Sequence, residues 1–284
     1  MNFRTQTVYG RTWLWIESSR IRECMTHYRE KRLYGIVVTT QEYYDLNNLD
    51  FLWDYPDVRV IDVCVTPLSG PLDLSGLRAL TDLRVLRCSV PLQLDAAVHP
   101  RLEDFSGEWL PQIDFAAFSR LRRLSLWSFR PRSRDMSGLR VSDSLQELRL
   151  VKPGIDSLAG IERVSGLRSL GLYYLRKKVS DYARIGALAR LETLDLESCR
   201  GIVDYGFLCG LSRLKKLMLT RCSDLPNVRF VESLPRLVHF SFVDTTVSDG
   251  DLRPLLNIPY VGFTSRRSYS HTFAQFERRA KLPH

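Results

Sequence analysis

The chain has 284 residues and a formal net charge of +9, with 44% hydrophobic and 26% charged residues. These are ordinary globular values, and they exclude a disordered or collagen-like chain. No window approaches the about 18 consecutive apolar residues of a membrane span, and the N-terminus lacks the apolar core of a secretory signal, which predicts a cytoplasmic protein.

Both ends of the chain are predicted to form caps. Within residues 1–30, the apolar segment Thr12–Ile16 predicts a strand, and a helix is expected from about Ser19 to Lys31. Residues 266–284 are predicted to form a C-terminal cap, with a short amphipathic helix over Ser268–Arg279.

Residues 31–265, between the caps, repeat one frame, apolar-x-x-apolar-x-apolar, eleven times. Its first positions are 19 to 25 residues apart, which is the period of a repeat array in which each coil buries the apolar side chains of its neighbours. The copies start at Leu33, Val58, Leu83, Leu102, Leu121, Leu145, Leu167, Leu191, Leu214, Leu237 and Ile258.

These copies resemble the leucine-rich repeat family. The stretches 155–161 and 247–255 are similar to its internalin and phosphatase-regulator subclass, and the tail at Tyr269–Thr272 resembles small stand-alone bacterial members. The resemblance implies an α/β fold: a right-handed leucine-rich-repeat solenoid (horseshoe) with a concave parallel β-sheet and short helical or 3-10 convex segments. About eleven strands are expected from the repeats.

The chain departs from the family pattern where an Asn usually satisfies backbone groups of the turn. That position holds Cys199, Cys222 and Thr245 in the later copies, and Pro91, Leu110, Phe129 and Pro153 in the earlier ones. Small donors partly replace Asn, whereas Pro and Phe have no side-chain donor. We therefore expect a regular C-terminal half and an irregular N-terminal half, especially between Leu83 and Leu121, where the spacing is shortest.

Strand alternation predicts which side chains point out onto the concave face or its rim, because successive side chains face opposite sides of a sheet. These candidate partner-binding residues are Glu108, Trp109, Trp127, Arg149, Lys152, Tyr173, Tyr174, Asp195, Glu197 and Arg221. Trp, Tyr and Arg are enriched at binding hot spots. The alternative is that some aromatic rings fold under irregular coils or pack against an inserted loop.

Two basic stretches, residues 130–134 and 176–178, fall in connections between strands, where solvated charge is the usual explanation. The excess of Arg over Lys fits a G+C-rich genome as well as an acidic or nucleic-acid partner. Nucleic-acid binding is not expected, because no motif for it accompanies these loops.

No catalytic, cofactor or metal motif is found, so the sequence predicts no enzyme, no cofactor and no metal site. The six Cys residues have no metal-like spacing and suggest reduced thiols. His239 is an isolated His on the predicted face. Cys222-Ser-Asp224 is similar to the Cys-x-Asp motif of bacterial ubiquitin ligases with leucine-rich repeats, but those enzymes place it in a separate helical domain, so Cys222 is expected to be structural.

The predicted function is non-catalytic recognition of another protein on the concave face, by a chain that is monomeric when unbound. An immunity protein that neutralises a bacterial toxin is one such role. A regulatory or scaffold subunit, similar to phosphatase regulators, and a secreted effector are the alternatives.

Overall fold

The computed structural model describes residues 2–40, 42–65 and 70–280. The chain forms two compact units, residues 1–126 and 127–284. Thirteen strands and two α-helices, α1 (Ile21–Glu30) and α2 (Phe273–Ala280), lie within the described residues. The strands are β1 (Thr5–Val8), β2 (Arg11–Trp15), β3 (Gly35–Thr39), β4 (Val60–Cys64), β5 (Val85–Cys88), β6 (Asp104–Glu108), β7 (Arg123–Trp127), β8 (Glu147–Val151), β9 (Ser169–Tyr173), β10 (Thr193–Glu197), β11 (Lys216–Thr220), β12 (His239–Phe242) and β13 (Tyr260–Phe263).

Most connections between the strands contain a short 3-10 helix instead of an α-helix, which confirms the short connections predicted from the repeat pattern. These helices span Asp50–Asp54, Ser75–Ala79, Met136–Gly138, Ile161–Arg163, Tyr182–Ala187, Gly206–Gly210, Arg229–Ser233 and Arg253–Asn257, and one more, Ser18–Arg20, precedes α1. A connection of this kind returns the chain to the next strand within few residues.

In the first unit, the strands from β2 to β6 pair in chain order and run parallel. Ile36, Ile61, Leu86 and Phe105 lie opposite one another in successive strands, and all four are fully buried. The predicted strand and helix near the N-terminus are present as β2 and α1. The antiparallel strand β1 was not predicted, because its four side chains are all exposed and carry no apolar alternation.

The two shortest repeats are irregular, as expected. No 3-10 or α-helix occurs between β5 and β7, a stretch that lies wholly within the described residues. His99 is buried there, and its Nδ1 atom lies 3.2 Å from the Leu80 carbonyl oxygen. The buried imidazole of His99 thus occupies core space that apolar side chains fill in the longer coils.

Acid should destabilise the first unit through His99. Burial lowers the pKa of His99 below that of the unfolded chain, so the unfolded state binds more protons as the pH falls below about 6.5. The free energy of unfolding then falls by up to about 1.4 kcal/mol for each pH unit of acidification, because one additional proton binds to the unfolded state. Urea unfolding between neutral and mildly acidic pH should show a smaller pH dependence in His99→Gln than in the wild type. Equal slopes in the two proteins would contradict this role of His99.

In the second unit, β8 to β12 are parallel neighbours in chain order, and β13 continues the series. Leu148, Leu170, Leu194 and Leu217 lie opposite one another, and each is fully buried. The residues between the Leu positions are therefore outward, as the sequence frame predicts.

The later copies replace the usual Asn by side chains that donate to backbone carbonyls. The Sγ atom of Cys199 lies 3.4 Å from the carbonyl oxygen of Leu172, and that of Cys222 lies 3.3 Å from the carbonyl oxygen of Leu196. Thr245 Oγ1 donates to the Leu219 carbonyl (2.9 Å) and accepts from the Cys222 N–H (3.0 Å). This confirms that small donors take over the role of the amide.

Replacing Thr245 by Val should therefore destabilise the second unit. The substitution keeps the volume of this buried side chain but leaves the Leu219 carbonyl and the Cys222 N–H without their partner. We expect a loss of about 1–3 kcal/mol in the free energy of unfolding, measured by urea denaturation. Thr246→Val, at the neighbouring half-buried position, is the matched control. A loss no greater than that of the control would show that the hydroxyl contributes nothing.

The C-terminal helix is shorter than predicted. The structure begins α2 at Phe273, so the prediction of a helix from Ser268 was wrong, and residues 281–284 lie outside the described part. The Tyr269 hydroxyl and Ser270 Oγ instead accept the N–H groups of Val247 and Leu252, at 3.1 and 2.9 Å. Because Tyr269 and Ser270 accept these backbone N–H groups of the last coil, residues 268–272 are held in a non-helical path.

Candidate functional site

The residue directly after each strand from β8 to β11 has a left-handed backbone. Its N–H donates to a carbonyl of the next coil, at 2.8 to 3.0 Å, which extends the parallel ladder by one residue beyond the strands. We call these residues the rim row: Lys152 (φ 50°), Tyr174 (φ 60°), Ser198 (φ 55°) and Arg221 (φ 51°). A non-Gly residue rarely adopts this conformation. The backbone hydrogen bonds hold it in place, and they thereby set the direction in which each rim-row side chain leaves the backbone.

The outward strand positions of the second unit lie in three rows beside the rim row, and we call them together the strand face. One row is Arg149, Gly171, Asp195 and Met218, a second is Val151, Tyr173, Glu197 and Thr220, and the third is Glu147, Ser169, Thr193, Lys216, His239 and Tyr260. Seven of the ten predicted residues therefore lie on adjacent strands or in the rim row, which ends at Arg221.

Tyr173 lies across the strand face over Gly171. A Cβ atom on Gly171 would come within 2.8 Å of the Tyr173 hydroxyl oxygen. That hydroxyl donates to Asp195 Oδ2 at 2.7 Å. Burial raises the pKa of Asp195, although the Tyr173 hydrogen bond and the charge of Arg149 oppose this effect. The ring and the carboxylate are thus held together on the face before any partner arrives.

Gly171→Ala should release this arrangement without changing the core. The added methyl group would displace the Tyr173 ring and break its bond to Asp195. Because Tyr173 is half-buried, freeing its ring and losing this one hydrogen bond should change the free energy of unfolding by only about 1 kcal/mol. The signature to look for is an increase in tyrosine-ring dynamics in NMR spectra, with Gly166→Ala, which meets only ordinary contacts, as control. An unchanged Tyr173 spectrum would contradict the close approach.

The rim row carries a second connected set of side chains. The Lys152 ammonium lies 5.8 Å from the centre of the Tyr174 ring. The Tyr174 hydroxyl donates to Glu197 Oε1 at 2.8 Å, and Arg221 pairs with the same carboxylate. Tyr174 is 44% exposed. Cation, ring, carboxylate and guanidinium therefore follow one another across four coils.

The remaining predicted residues are Trp127, Glu108 and Trp109. Trp127 ends β7 as a half-buried side chain of the second unit. Ser128 beside it has a left-handed backbone and donates its N–H to the Val151 carbonyl, as the rim residues do, so Trp127 adjoins the strand face next to Val151. Glu108 and Trp109 belong to the first unit and are both half-buried. The backbone of Trp109 lacks the left-handed conformation of the rim row. Strand β6 nevertheless keeps the register of the repeat frame, with Phe105 opposite Leu86 and Gly107 opposite Cys88, so the position of Trp109 at the rim stays a prediction.

His239 was predicted as an isolated His on the face, but its pairing with a second ring was not predicted. The His239 ring stacks on the Tyr260 ring with centroids 4.3 Å apart, and Tyr260 is 48% exposed. Burial and the charge of Lys216 lower the pKa of His239. His239 and Tyr260 each occupy the outward position two residues before Ser241 and Gly262. The register of β12 and β13 places them opposite each other.

Solved structures of internalins share this arrangement of parallel strands. An internalin (InlF) from Listeria monocytogenes matches with a TM-score of 0.55 and 17% identity, over 84% of this chain and 70% of that one. The chain has the leucine-rich-repeat fold. Internalin C2 from the same species matches with a TM-score of 0.38 and 19% identity over 66% and 74% of the two chains. The functional domain of its InlJ gives 0.49 and 13% over 87% and 51%.

At these identities the likeness concerns the leucine-rich-repeat fold alone. No protein-family model matches the sequence, and neither does any curated protein. The chemistry of the site must therefore be inferred from this chain's own side chains.

Nothing in the described leucine-rich-repeat coils has the geometry of a metal or membrane site. No three His, Cys, Asp or Glu side chains converge there as metal ligands would, and none of the described helices combines the length and apolarity needed to cross a membrane. All six cysteines are free thiols. Cys222 is buried, and both its contact with Cys199 and its burial raise the pKa of its thiol, which fits the predicted structural role.

Proposed function

We propose that this chain is a non-catalytic protein-binding module, and that its partner docks on the strand face and rim row of the second unit. The observation that carries the proposal is the preformed set of Tyr173 with Asp195 and Tyr174 with Glu197 and Arg221. Tyr and Arg are enriched among the residues that dominate binding energies. Because these side chains are already held in place, little conformational entropy is lost when a partner binds.

The chemistry of the face suits a protein rather than a small ligand. Its rows combine aromatic rings, carboxylates and cations over several coils, instead of lining a deep apolar cavity. The carboxylates Asp195 and Glu197 would complement basic side chains of the partner, while Arg149 and Lys152 would contact acidic or aromatic ones. Complementary charge of this mixed kind increases specificity and association rate.

Affinity capture from the native host tests the proposal. The baits are the wild type, a face variant with Trp127→Ala and Tyr173→Ala, and a control variant with Arg190→Ala and Arg213→Ala in exposed turns before β10 and β11. A partner recovered by the wild type and the control should bind the face variant about 100-fold more weakly. Equal binding of all three baits would refute the assignment to the strand face.

We also propose a more specific role, in which the chain is an immunity protein that neutralises a bacterial toxin. A rigid protein that covers a toxin's active surface would neutralise it without catalysis. Supporting evidence would be that co-expression of the wild type restores growth to cells producing the partner, whereas the face variant does not. A partner that is harmless on its own would favour the regulatory or scaffold alternative, and a partner found outside the producing cell would favour the secreted effector.

We also propose that residues 1–30 and 266–284 act as caps of a repeat region over 31–265, and that the unbound chain is a cytoplasmic monomer. Burial of Tyr28 in α1 and of Phe276 in α2 supports the capping roles. Light scattering coupled to size exclusion would test the oligomeric state.

A further inference from the structure

The two basic loops of the second unit meet at one carboxylate. Arg134 binds Asp156 through two nitrogens, with Nε–Oδ2 at 2.5 Å and Nη2–Oδ1 at 3.0 Å. Lys178 Nζ lies 2.6 Å from Oδ2, and Arg176 Nη1 lies 3.6 Å from Oδ1. These cations hold the pKa of Asp156 far below its usual range. Three cations thus surround a single negative charge.

Three more exposed cations belong to the same loops. We call the whole set the basic patch: Arg130, Arg132, Arg134, Arg176, Lys177 and Lys178. Asp156 neutralises only one of these six charges. Like charges that share one surface repel one another, and an anion from outside the loops would reduce this repulsion.

Backbone contacts fix the loops that carry the basic patch. The Asp156 N–H donates to the Arg134 carbonyl at 2.7 Å, and the Gly154 N–H donates to the Phe129 carbonyl at 2.6 Å. A Cβ atom on Gly201 would lie 2.5 Å from the Lys177 carbonyl oxygen, so the second loop packs closely on the following coil. The charges therefore belong to a built surface and not to a loose tail.

We propose that the basic patch binds an acidic, carboxylate-rich segment of a partner protein. Asp156 shows that the patch accommodates a carboxylate, with a two-nitrogen contact from Arg134 and a single contact from Lys178. Carboxylates supplied by a partner would engage Arg130, Arg132 and Lys177, and would draw Arg176 away from its longer contact with Asp156. This surface lies in the loops, outside the strand face and rim row, and it is tested separately from them.

The surroundings of the patch favour an acidic protein over a nucleic acid. Single-stranded nucleic acids need aromatic side chains on which bases stack, next to a basic track for the phosphates. Tyr260 is exposed but its ring is already stacked on His239. The half-buried ring of Tyr173 and the exposed ring of Tyr174 are bonded to Asp195 and Glu197. A strand that used these rings would carry its phosphates past two carboxylates, whereas a protein segment that ends at the patch would not.

Fluorescence anisotropy of the full chain with a labelled peptide of about ten glutamates tests the inference, alongside a single-stranded DNA oligonucleotide of equal charge. One variant carries Arg176→Glu and Lys178→Glu. A second carries Arg132→Glu and Lys177→Glu, which leaves the ion pairs of Asp156 intact and so remains informative if the first variant misfolds. The control carries Arg190→Glu and Arg213→Glu, with the same change in net charge.

We expect the peptide to bind at low salt more tightly than the oligonucleotide, and each folded patch variant to bind it at least about tenfold more weakly than the control. Absence of peptide binding, or equal weakening in the control, would overturn the proposal. An oligonucleotide that binds as tightly as the peptide would overturn it as well, in favour of a nucleic-acid surface. None of these outcomes depends on the strand face, since Trp127 and Tyr173 stay unchanged.

Discussion

Leu194→Ala is expected to lower the free energy of unfolding of the second unit by about 2–5 kcal/mol. Leu194 is fully buried and lies opposite Leu170 and Leu217 in the neighbouring coils. Removing its side chain leaves a cavity that three coils share, and each coil of a repeat array is stabilised mainly by its neighbours. Urea denaturation followed by circular dichroism measures the loss.

Thr193→Ala is the control for Leu194, because Thr193 occupies the adjacent outward position of the same strand. Its substitution should change the free energy of unfolding by less than about 1 kcal/mol. If the two substitutions cost the same, the assignment of inward and outward positions in β10 is wrong.

Phe263→Ala should open the C-terminal end of the second unit. The Phe263 ring contacts Phe242, Tyr269, Phe273 and Phe276, with centroids 5.1 to 5.9 Å apart. This one ring therefore joins the last two strands to the tail and to α2. We expect a loss of about 3–5 kcal/mol in the stability of this region.

Hydrogen exchange measured by mass spectrometry locates the effect of Phe263→Ala. Exchange should become faster over residues 260–276 and stay unchanged in β8 to β10. Tyr260→Ala, at an exposed position of the same strand, should leave exchange of the tail unchanged. Protection of the tail that survives Phe263→Ala would contradict its role as the closing contact.

The repeat frame predicts most of the fold because it is a physical requirement of stacked coils. Each strand must hide its apolar positions from water, so the spacing of Leu194 and Leu196 specifies which neighbours face outward. The frame does not predict strand β1, because all four side chains of Thr5–Val8 are exposed to solvent. The frame does not predict the path of residues 268–272 either, because it depends on hydrogen bonds that Tyr269 and Ser270 accept from backbone N–H groups of another coil.

The sequence predicts which side chains belong to the candidate site, but it does not predict the contacts between them. Alternation gives the outward positions of Tyr173 and Asp195, yet the bond between them needs the space that Gly171 leaves two residues earlier. The meeting of Arg134 and Lys178 at Asp156 depends on the path of two loops that share no periodic pattern.

Hydroxyl-radical footprinting of the chain, alone and with its captured partner, tests the docking surface most directly, because it reads the solvent access of individual side chains. On the strand-face account, oxidation of Tyr173, Tyr174 and Tyr260 falls when the partner binds, while Val203 and Phe230 on the connecting segments keep their reactivity. Protection of Val203 and Phe230, with Tyr173 and Tyr174 as reactive as in the free chain, would contradict it.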